Sequence, residues 1–486
     1  MNAIKYKPKK SSIKKHKVPD WFHDAKLGIF IHWSLFSVPA FAITGIDIKS
    51  IVKKEGFIGQ FKNNPYAEWY LNSLRIPDSP TQKYHTETFG ENFSYDDFAP
   101  IFNEEIKKWD PNEMANIFKK AGAKYVVLVT KHHDGFVLWP TQFPNPRKAN
   151  YQASRDIVGE LTRAVREQGL DMGFYYSGTF DWSFNPEHIE NTITFITNGV
   201  LDPDYTQYAN NHWHELIDMY EPKVLWNDIG YPPKTNIYEI FAHFYNKVPD
   251  GVVNDRWLQI PKSVRKFLKL RLPKAVLTWL TKRAFVKGSA SMPCPVHHDY
   301  KTPEYGVFEN ISKRKWELTR GIGNSFGYNK LETDKDYLSS DAIIRMFVDI
   351  VSKNGNLLLN VGPMADGTIP EAQKQRLLDL GKWLEVNGEA IFGTRPWKKA
   401  EGTTVDGIEL RFTCKPDALY AFLLDKPKGP QIAIKSLHLS ENSKAIMLGY
   451  EGSLTLKQGE KDASIQLPEN LKDSPAYAIK ITPPAI

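Results

Sequence analysis

The chain has 486 residues, with 63 basic and 56 acidic residues, two cysteines and 13% aromatic residues. The two signs of charge are interspersed, which excludes a dedicated nucleic-acid-binding protein, and two cysteines far apart exclude a disulfide framework or a cysteine-rich zinc site. No stretch approaches the roughly 20 apolar residues that cross a bilayer, so we expect no stable membrane insertion. The aromatic content fits carbohydrate binding and a large aromatic core equally well.

The first 17 residues are rich in lysine and contain no apolar run of the kind that secretory signals have. They predict a disordered basic tail, with the fold beginning at residue 18. We therefore expect a cytoplasmic protein, although a removed leader replaced by an initiator methionine would leave the same sequence.

Between residues 18 and 396, apolar runs that end in polar or aromatic residues alternate with helical patterns. This alternation predicts a parallel sheet, and eight strands would form a (β/α)8 TIM-like barrel. An open doubly wound sheet is the alternative, but no G-x-G-x-x-G loop follows the first strand. Six strands are predicted, and two more are expected between residues 95 and 110 or between 305 and 330. The six lie within 26–34, 124–130, 171–178, 223–230, 251–257 and 356–363.

The pattern changes after Trp397, where short segments alternate apolar and polar residues with a period of two. This period is typical of strands with one buried face. We predict a C-terminal antiparallel β-sandwich over residues 397–486.

An insertion over residues 258–298 fits neither pattern. From Lys262 to Lys287 it has nine basic and no acidic residues, and Pro273 divides it into two short amphipathic pieces. Such a segment can lie on an anionic membrane or in a partner's groove. It can equally be a lid or a subunit contact whose apolar face packs on the barrel.

Polar side chains stand at the carboxyl ends of the predicted strands, where barrel enzymes have their active sites. A metal-dependent hydrolase would use the histidines as ligands. However, adjacent residues on a strand point to opposite faces, so His132 and His133 would share an ion only if the strand had already ended. No H-E-x-x-H motif is present, and we expect no metal and no cofactor. The polar side chains at the carboxyl ends of the predicted strands are His32, His132, His133, Tyr175, Asp228 and Arg256.

A retaining glycosidase is the second enzyme class that this set could serve. It needs a nucleophilic carboxylate and an acid/base carboxylate about 5–5.5 Å apart. Asp228 suits the nucleophile, because it ends a strand and a nearby Arg256 would keep it ionised. A carbohydrate-binding protein without catalysis stays open as a different class.

Seven motifs, in order from about Trp21 to the C-terminus, resemble those of the α-L-fucosidases of glycoside hydrolase family 29. The resemblance implies a catalytic (β/α)8-like barrel followed by a C-terminal β-sandwich. It also implies exo-hydrolysis of terminal α-L-fucosides with retention of configuration, and a homo-oligomer. The sequence leaves open whether transfer to sugar acceptors competes with hydrolysis. The motifs are His32-Trp33, Glu68-Trp69, Lys131 to Phe136, Leu225 to Asp228, Asn254 to Trp257, Ser325 to Tyr328 and Asn356 to Pro363.

The resemblance assigns Asp228 as the nucleophile that forms a covalent fucosyl-enzyme. Trp226 and Phe326 would lie near the C5 methyl group that separates fucose from galactose. Tyr176 could take the role given to Tyr175. The fucose pocket would consist of His32, Glu68, Trp69, His132, His133, Tyr175, Trp226, Arg256 and Phe326.

In bacterial members of the family, the acid/base lies in a Thr-x-Glu-Tyr segment after the Asn-Asp-Arg-Trp strand. Thr302-Pro303-Glu304-Tyr305 matches this segment, which assigns Glu304, with Glu309, Glu317 and Glu68 as competitors. The insertion departs from the family pattern directly before Glu304. We therefore expect it to cover the leaving-group side or to contact another subunit.

Overall fold

A curved parallel sheet is the centre of the N-terminal unit. The computed structural model describes residues 5–45, 61–269 and 294–485, and this sheet has seven strands there. Their order is β5-β4-β3-β2-β1-β7-β6, and every neighbouring pair is parallel. The strands are β1 (Leu27–Ile31), β2 (Tyr125–Lys131), β3 (Asp171–Ser177), β4 (Val224–Asp228), β5 (Val252–Val253), β6 (Trp316–Gly321) and β7 (Gly355–Val361).

The helices surround this sheet. The six predicted strands are present, and β6 is the strand expected between residues 305 and 330. No strand lies between residues 95 and 110, where Phe98 and Phe102 are buried one helical turn apart. The helices of the described residues are α1 (Lys10–Ile13), α2 (Asp20–Ala25), α3 (Tyr70–Leu74), α4 (Pro80–Phe89), α5 (Phe98–Glu105), α6 (Pro111–Lys120), α7 (Ile157–Glu167), α8 (Thr192–Thr197), α9 (Pro203–Tyr220), α10 (Ile237–Lys247), α11 (Lys262–Leu268), α12 (Ser340–Ser352) and α13 (Glu371–Asn387).

An extended segment, residues 299–305, fills the gap between the edge strands β5 and β6. On one side the Asp299 amide donates to the Val253 carbonyl at 2.9 Å. On the other side the Thr319 amide donates to the Pro303 carbonyl at 3.2 Å, and residues 304 and 319 form a parallel bridge. This segment therefore takes the place of an eighth strand, and the sheet curls into a (β/α)8-like barrel, as predicted.

Large side chains fill the barrel interior rather than leaving a pore. Alternate residues of each strand point inward, because the side-chain period of a strand is two. The large inward side chains of β1 to β4 are aromatic, and none of these rings is more than 1% exposed. They include Phe30, Tyr125, Tyr175 and Trp226, which form one buried cluster.

Two antiparallel sheets follow the barrel. The five-stranded sheet has the order β12-β15-β10-β9-β8, and the three-stranded sheet has the order β11-β14-β13. Their facing sides enclose a separate apolar core, whereas Tyr420 and Phe422 on β10 belong to the core of the barrel. The first strand begins at Arg395, close to the predicted boundary. The strands are β8 (Arg395–Thr403), β9 (Glu409–Lys415), β10 (Ala418–Leu423), β11 (Gln431–Ile434), β12 (Lys444–Met447), β13 (Leu456–Gln458), β14 (Ala463–Gln466) and β15 (Tyr477–Thr482).

The prediction of a disordered tail is wrong for residues 5–17. This segment contains α1 and packs beside α10: the backbone of Tyr6 exchanges two hydrogen bonds with the side chain of Asn246, and Ile13 is fully buried. Its lysines are exposed, and only three side chains, Tyr6, Ile13 and His16, are buried. So few buried positions do not alter a composition dominated by lysine, which is why the sequence pattern missed them.

Part of the basic insertion is described. The described part of its first amphipathic piece contains α11, in which Arg265 is buried and donates to the Gly199 carbonyl at 2.8 Å, while Val264 and Phe267 are exposed. The second piece lies outside the described residues. Within the described ranges, no helix combines the length and apolar character needed to cross a membrane.

Replacing Ile13 with Ala tests the packing of the tail. Since Ile13 is fully buried, the variant should lose roughly 2–5 kcal/mol of unfolding free energy, measured by urea denaturation. The control is Lys14→Ala, at an exposed position of the same segment, which should change the free energy by less than about 0.5 kcal/mol. Equal stabilities of the two variants would show that the tail does not pack.

Candidate active site

The carboxyl ends of β3 and β4 place Tyr175 and Asp228 side by side. In the register of these strands, Tyr175 pairs with Trp226 and Ser177 pairs with Asp228. Trp226 and Asp228 are two residues apart, so both point into the barrel mouth. Tyr176 points the other way, with its hydroxyl 3.0 Å from His212 Nδ1 on α9. The structure therefore brings Tyr175, not Tyr176, into the site.

Asp228 is a buried carboxylate with two charge-assisting partners. Tyr175 Oη donates to Oδ2 at 2.9 Å, and Arg256 Nη1 donates to Oδ1 at 3.0 Å. Burial alone would raise the pKa of Asp228, but the charge of Arg256 and these two hydrogen bonds outweigh it and hold the pKa below its ordinary value. Asp228 is therefore ionised at neutral pH.

Arg256 joins Asp228 to Glu304. Its Nη1 atom lies 3.0 Å from Asp228 Oδ1 and 2.6 Å from Glu304 Oε1. The two carboxylate oxygens therefore cannot be farther apart than the sum of these distances, close to the ~5.5 Å spacing of retaining glycosidases. Thr302 fixes the guanidinium, because its hydroxyl and carbonyl accept from Nε at 2.9 Å and from Nη2 at 3.0 Å.

Glu304 lies at the mouth of the site, on the segment between β5 and β6. Its side chain is 39% exposed, whereas that of Asp228 is 11% exposed. The next residue, Tyr305, has a φ of 53°, in the left-handed region that residues with side chains seldom adopt. The chain thus turns sharply directly after the proposed acid/base.

Three histidines form the floor opposite Asp228. The His132 ring lies 4.0 Å from the His133 ring and 5.7 Å from the His32 ring, centroid to centroid. Burial lowers the pKa of His32 to about 4 and that of His133 to about 3, and it lowers the pKa of His132 well below the ordinary value. All three rings are therefore neutral at pH 7 and can donate and accept hydrogen bonds without adding charge.

Glu68, Trp69 and Phe326 complete the wall from a loop and from the turn after β6. Glu68 Oε2 accepts from the Gly327 amide at 2.8 Å, and burial raises the pKa of Glu68 to about 7. The Trp69 ring lies 5.2 Å from His133, and the Phe326 ring lies 5.0 Å from His32. Every residue predicted for the pocket is thus brought to one end of the barrel.

Trp226 lies deeper than the other predicted residues. Its ring is stacked 5.4 Å from Tyr175, and the Arg256 guanidinium lies 4.7 Å above it. Its Nε1 atom donates to Glu317 Oε1 at 3.1 Å. Trp226 therefore supports the two side chains that hold Asp228.

The three competitors for the acid/base position lie elsewhere. Glu317 is fully buried inside the barrel, below Trp226, and accepts from Tyr125 and Trp226. Glu309 is exposed, and no contact links it to Asp228. Glu68 is bound to the turn at Gly327. Among the four carboxylates, Glu304 is the one that contacts the same Arg256 nitrogen as Asp228.

The strand does end before the two adjacent histidines, since β2 stops at Lys131. Both rings nevertheless have other partners or neighbours: His133 Nδ1 lies 2.6 Å from Ser177 Oγ, and the His132 ring is stacked on Tyr175. In the part of the chain that the structure describes, a geometry suited to a metal ion occurs outside this site, at His16, His297 and Asp299.

Three supporting residues were not predicted. Thr302 holds Arg256, Ser177 holds His133, and Asn360 Oδ1 lies 2.6 Å from His32 Nδ1. Each lies inside a strand or motif that the sequence marked, but a small polar residue there carries no pattern of its own. Their position behind the pocket becomes visible only from the pairing of the strands.

The family models agree with this architecture. The model described as Alpha-L-fucosidase matches residues 1–389, and the model described as Alpha-L-fucosidase C-terminal domain matches residues 406–482. The chain belongs to the α-L-fucosidase family. The predicted family, the barrel-plus-sandwich fold and the enzyme class, a glycosidase of the α-L-fucosidase type, are thereby confirmed.

Individual α-L-fucosidases are similar over nearly the whole chain. The Thermotoga maritima α-fucosidase in complex with fucose is 42% identical, covers 98% of this chain and 100% of its own, and has a TM-score of 0.82. A Thermotoga maritima α-L-fucosynthase in complex with α-L-Fuc-(1-2)-β-L-Fuc-N3 is 42% identical, covers 98% and 99%, and has a TM-score of 0.83. The Dictyostelium discoideum α-L-fucosidase is 32% identical over 96% of this chain and 90% of its own.

Glu317 makes the stability of this α-L-fucosidase depend on pH. Burial raises its pKa from 4.5 to about 7, so the folded protein holds this proton more tightly than the unfolded chain does. The resulting stability is fully present below about pH 4.5 and is lost as the pH rises through about 7. Glu317→Gln cannot ionise, so its melting temperature should rise relative to the native protein between pH 5 and pH 8.

The control is Glu309→Gln, which alters an exposed carboxylate and should follow the native protein at both pH values. A melting-temperature difference between Glu317→Gln and the native protein that is the same at pH 5 and pH 8 would contradict this account.

Proposed function

We propose that the protein is an exo-acting retaining α-L-fucosidase in which Asp228 is the nucleophile and Glu304 the acid/base. The observation that carries the proposal is the shared contact of both carboxylates with Arg256 Nη1. This contact limits the separation of the two nearest carboxylate oxygens to a value compatible with the ~5.5 Å spacing of retaining enzymes, which supports double displacement.

In the first step, Glu304, which has taken up a proton from solvent at its exposed position, gives that proton to the leaving oxygen while Asp228 Oδ1 or Oδ2 attacks the anomeric carbon. The C–O bond to the leaving group breaks, and a covalent β-fucosyl ester forms. In the second step, Glu304 takes a proton from a water molecule, whose oxygen attacks the anomeric carbon; the ester bond to Asp228 breaks, and α-L-fucose is released. Arg256 favours the ionised form of Asp228 before the first step and after the second.

The pocket suits a neutral deoxy sugar. The neutral histidines His32, His132 and His133 offer donors and acceptors for hydroxyl groups, and Phe326 presents an apolar ring for the C5 methyl group. The fucose complex and the fucosynthase complex of the Thermotoga maritima relatives support fucosides as substrates and a sugar as an alternative acceptor. We accordingly propose that transfer to sugar hydroxyls accompanies hydrolysis.

The two carboxylates can be told apart by azide rescue on an aryl α-L-fucoside. Asp228→Ala should lose more than ~10⁴-fold in kcat. In Glu304→Ala, azide should attack the fucosyl-enzyme and restore turnover with α-L-fucosyl azide as the product. Any azide product of Asp228→Ala should be the β-anomer, because azide then replaces the nucleophile itself. NMR of the product distinguishes the anomers.

Glu309→Ala is the matched control for the acid/base, since its carboxylate lies on the same stretch but is exposed and has no contact with Arg256. It should keep native activity without azide. A β-azide product from Glu304→Ala, or full activity of Asp228→Ala, would refute the assignment. A chelator should leave kcat/KM unchanged well below the melting temperature, because no step uses a metal.

Arg256 sets the acidic limb of the pH profile. Its charge counteracts the burial of Asp228 and lowers the pKa of that carboxyl, so Asp228 stays ionised in moderately acidic solution. In Arg256→Met the opposing charge is gone, and the acidic limb of kcat/KM should move upward by ~1 pH unit or more. Arg256→Lys keeps a positive charge and should shift the limb less. An unmoved limb in Arg256→Met would contradict this role.

A further inference from the structure

Three side chains with metal-binding atoms meet on the outside of the barrel, away from the pocket. His16 Nδ1 lies 2.8 Å from Asp299 Oδ1, and His297 Nε2 lies 3.5 Å from the same oxygen. All three ligand atoms lie within 4.8 Å of one another. Around a cation with bonds of about 2.1 Å, tetrahedral ligands are about 3.4 Å apart, so these atoms need to move only slightly to enclose one.

The cluster is buried as a structural metal site would be. The side chains of His16 and Asp299 are 2% and 1% exposed, and that of His297 is 8% exposed. An ion could therefore enter the cluster beside His297, the most exposed of the three side chains. Two imidazoles and one carboxylate favour a borderline cation of the Zn²⁺ type over Mg²⁺ or Ca²⁺, which prefer oxygen ligands.

Hydrogen bonds from neighbouring groups orient His16 and Asp299. With Nδ1 facing Asp299, the other nitrogen of His16, Nε2, lies 3.3 Å from the Pro249 carbonyl. The second oxygen of Asp299 accepts from Tyr245 Oη and from the Val253 amide, each at 2.8 Å. Metal-bound histidines and carboxylates are held by such outer hydrogen bonds. Tyr245 Oη also lies 3.0 Å from His297 Nε2, close to where a fourth ligand would stand.

We propose that His16, His297 and Asp299 bind one divalent cation of the Zn²⁺ type and that this ion fastens the N-terminal tail to the segment that carries Glu304. Asp299 begins that segment, five residues before Glu304, which is about 16 Å along an extended chain. The ion is a structural clamp and takes no part in the reaction. This inference does not depend on the proposed fucosidase mechanism.

Zinc binding to the full chain tests the proposal. The protein is treated with a chelator, freed of it, and titrated with Zn²⁺ while the bound metal and the melting temperature are measured. One ion should bind per chain and raise the melting temperature by several degrees, and Mg²⁺ should do neither. The variants His16→Asn and His297→Asn each lack one ligand and should bind Zn²⁺ more than ~100-fold more weakly than the native protein. Even the loss of a group that only hydrogen-bonds a ligand lowers metal affinity about 10- to 100-fold.

The choice of Asn keeps the variants folded, because its amide can still donate to Asp299 but does not bind zinc. Circular dichroism without metal should match the native protein. His243→Asn is the control: His243 lies beside His214 and bonds Asp218 on the surface, so its loss should leave the stoichiometry and the thermal shift unchanged. The proposal would be overturned if less than one Zn²⁺ ion bound per chain, if His16→Asn bound Zn²⁺ as tightly as the native protein, or if binding did not raise the melting temperature. In each case hydrogen bonds alone would hold the tail to Asp299.

Discussion

The contact on which the rest of the site depends is the guanidinium of Arg256 between two carboxylates. A buried cation is stable only where charges and hydrogen bonds surround it. Here Asp228 and Glu304 supply the charge, Thr302 accepts two further hydrogen bonds, and the Trp226 ring lies beneath. One side chain thus joins the end of β4, the end of β5 and the segment 299–305, and fixes the separation of the two groups that would carry the reaction.

The incomplete barrel explains why those two groups differ in rigidity. Asp228 ends a regular strand and is paired with Ser177 of β3, while Val224 and Leu225 earlier in the same strand also pair with β5. Glu304 lies on a segment that replaces a strand with single bridges and turns at Tyr305. A nucleophile must meet one carbon atom, whereas an acid/base must follow a leaving group and then a water molecule. The more exposed and less regular position therefore suits the second role.

Periodicity in the sequence could predict the site residues whose positions depend on the strands. The apolar runs placed His32, Tyr175 and Asp228 at strand ends, and a parallel sheet brings strand ends together whatever its loops do. Pattern could not choose between Tyr175 and Tyr176, because the direction of a strand's side chains depends on its register with its neighbours. The pairing of Tyr175 with Trp226 makes that choice.

Segments that fold against others, rather than with themselves, escaped prediction. The stretch 299–305 has no strand pattern, since β5 and β6 on either side hold it extended. The tail likewise depends on contacts with α10 and Asp299 that are hundreds of residues away. Glu304 was assigned only through the resemblance of Thr302–Tyr305 to a family motif. Long-range packing of this kind leaves no periodic trace in a single sequence.

The histidines around Asp228 are neutral, so they do not oppose the stabilisation that its negative charge gives the transition state. The transition state of glycoside cleavage carries positive charge on the sugar, so a carboxylate beside it is stabilising and a cation beside it is not. Three histidines face the site, and each would oppose the reaction if it were protonated. Their burial keeps them neutral, with the pKa of His32 near 4 and that of His133 near 3, while Arg256 stays charged because two carboxylates surround it. The same tight packing that excludes water thus permits one cation where it is paired and excludes charge from the rings that would bind the sugar.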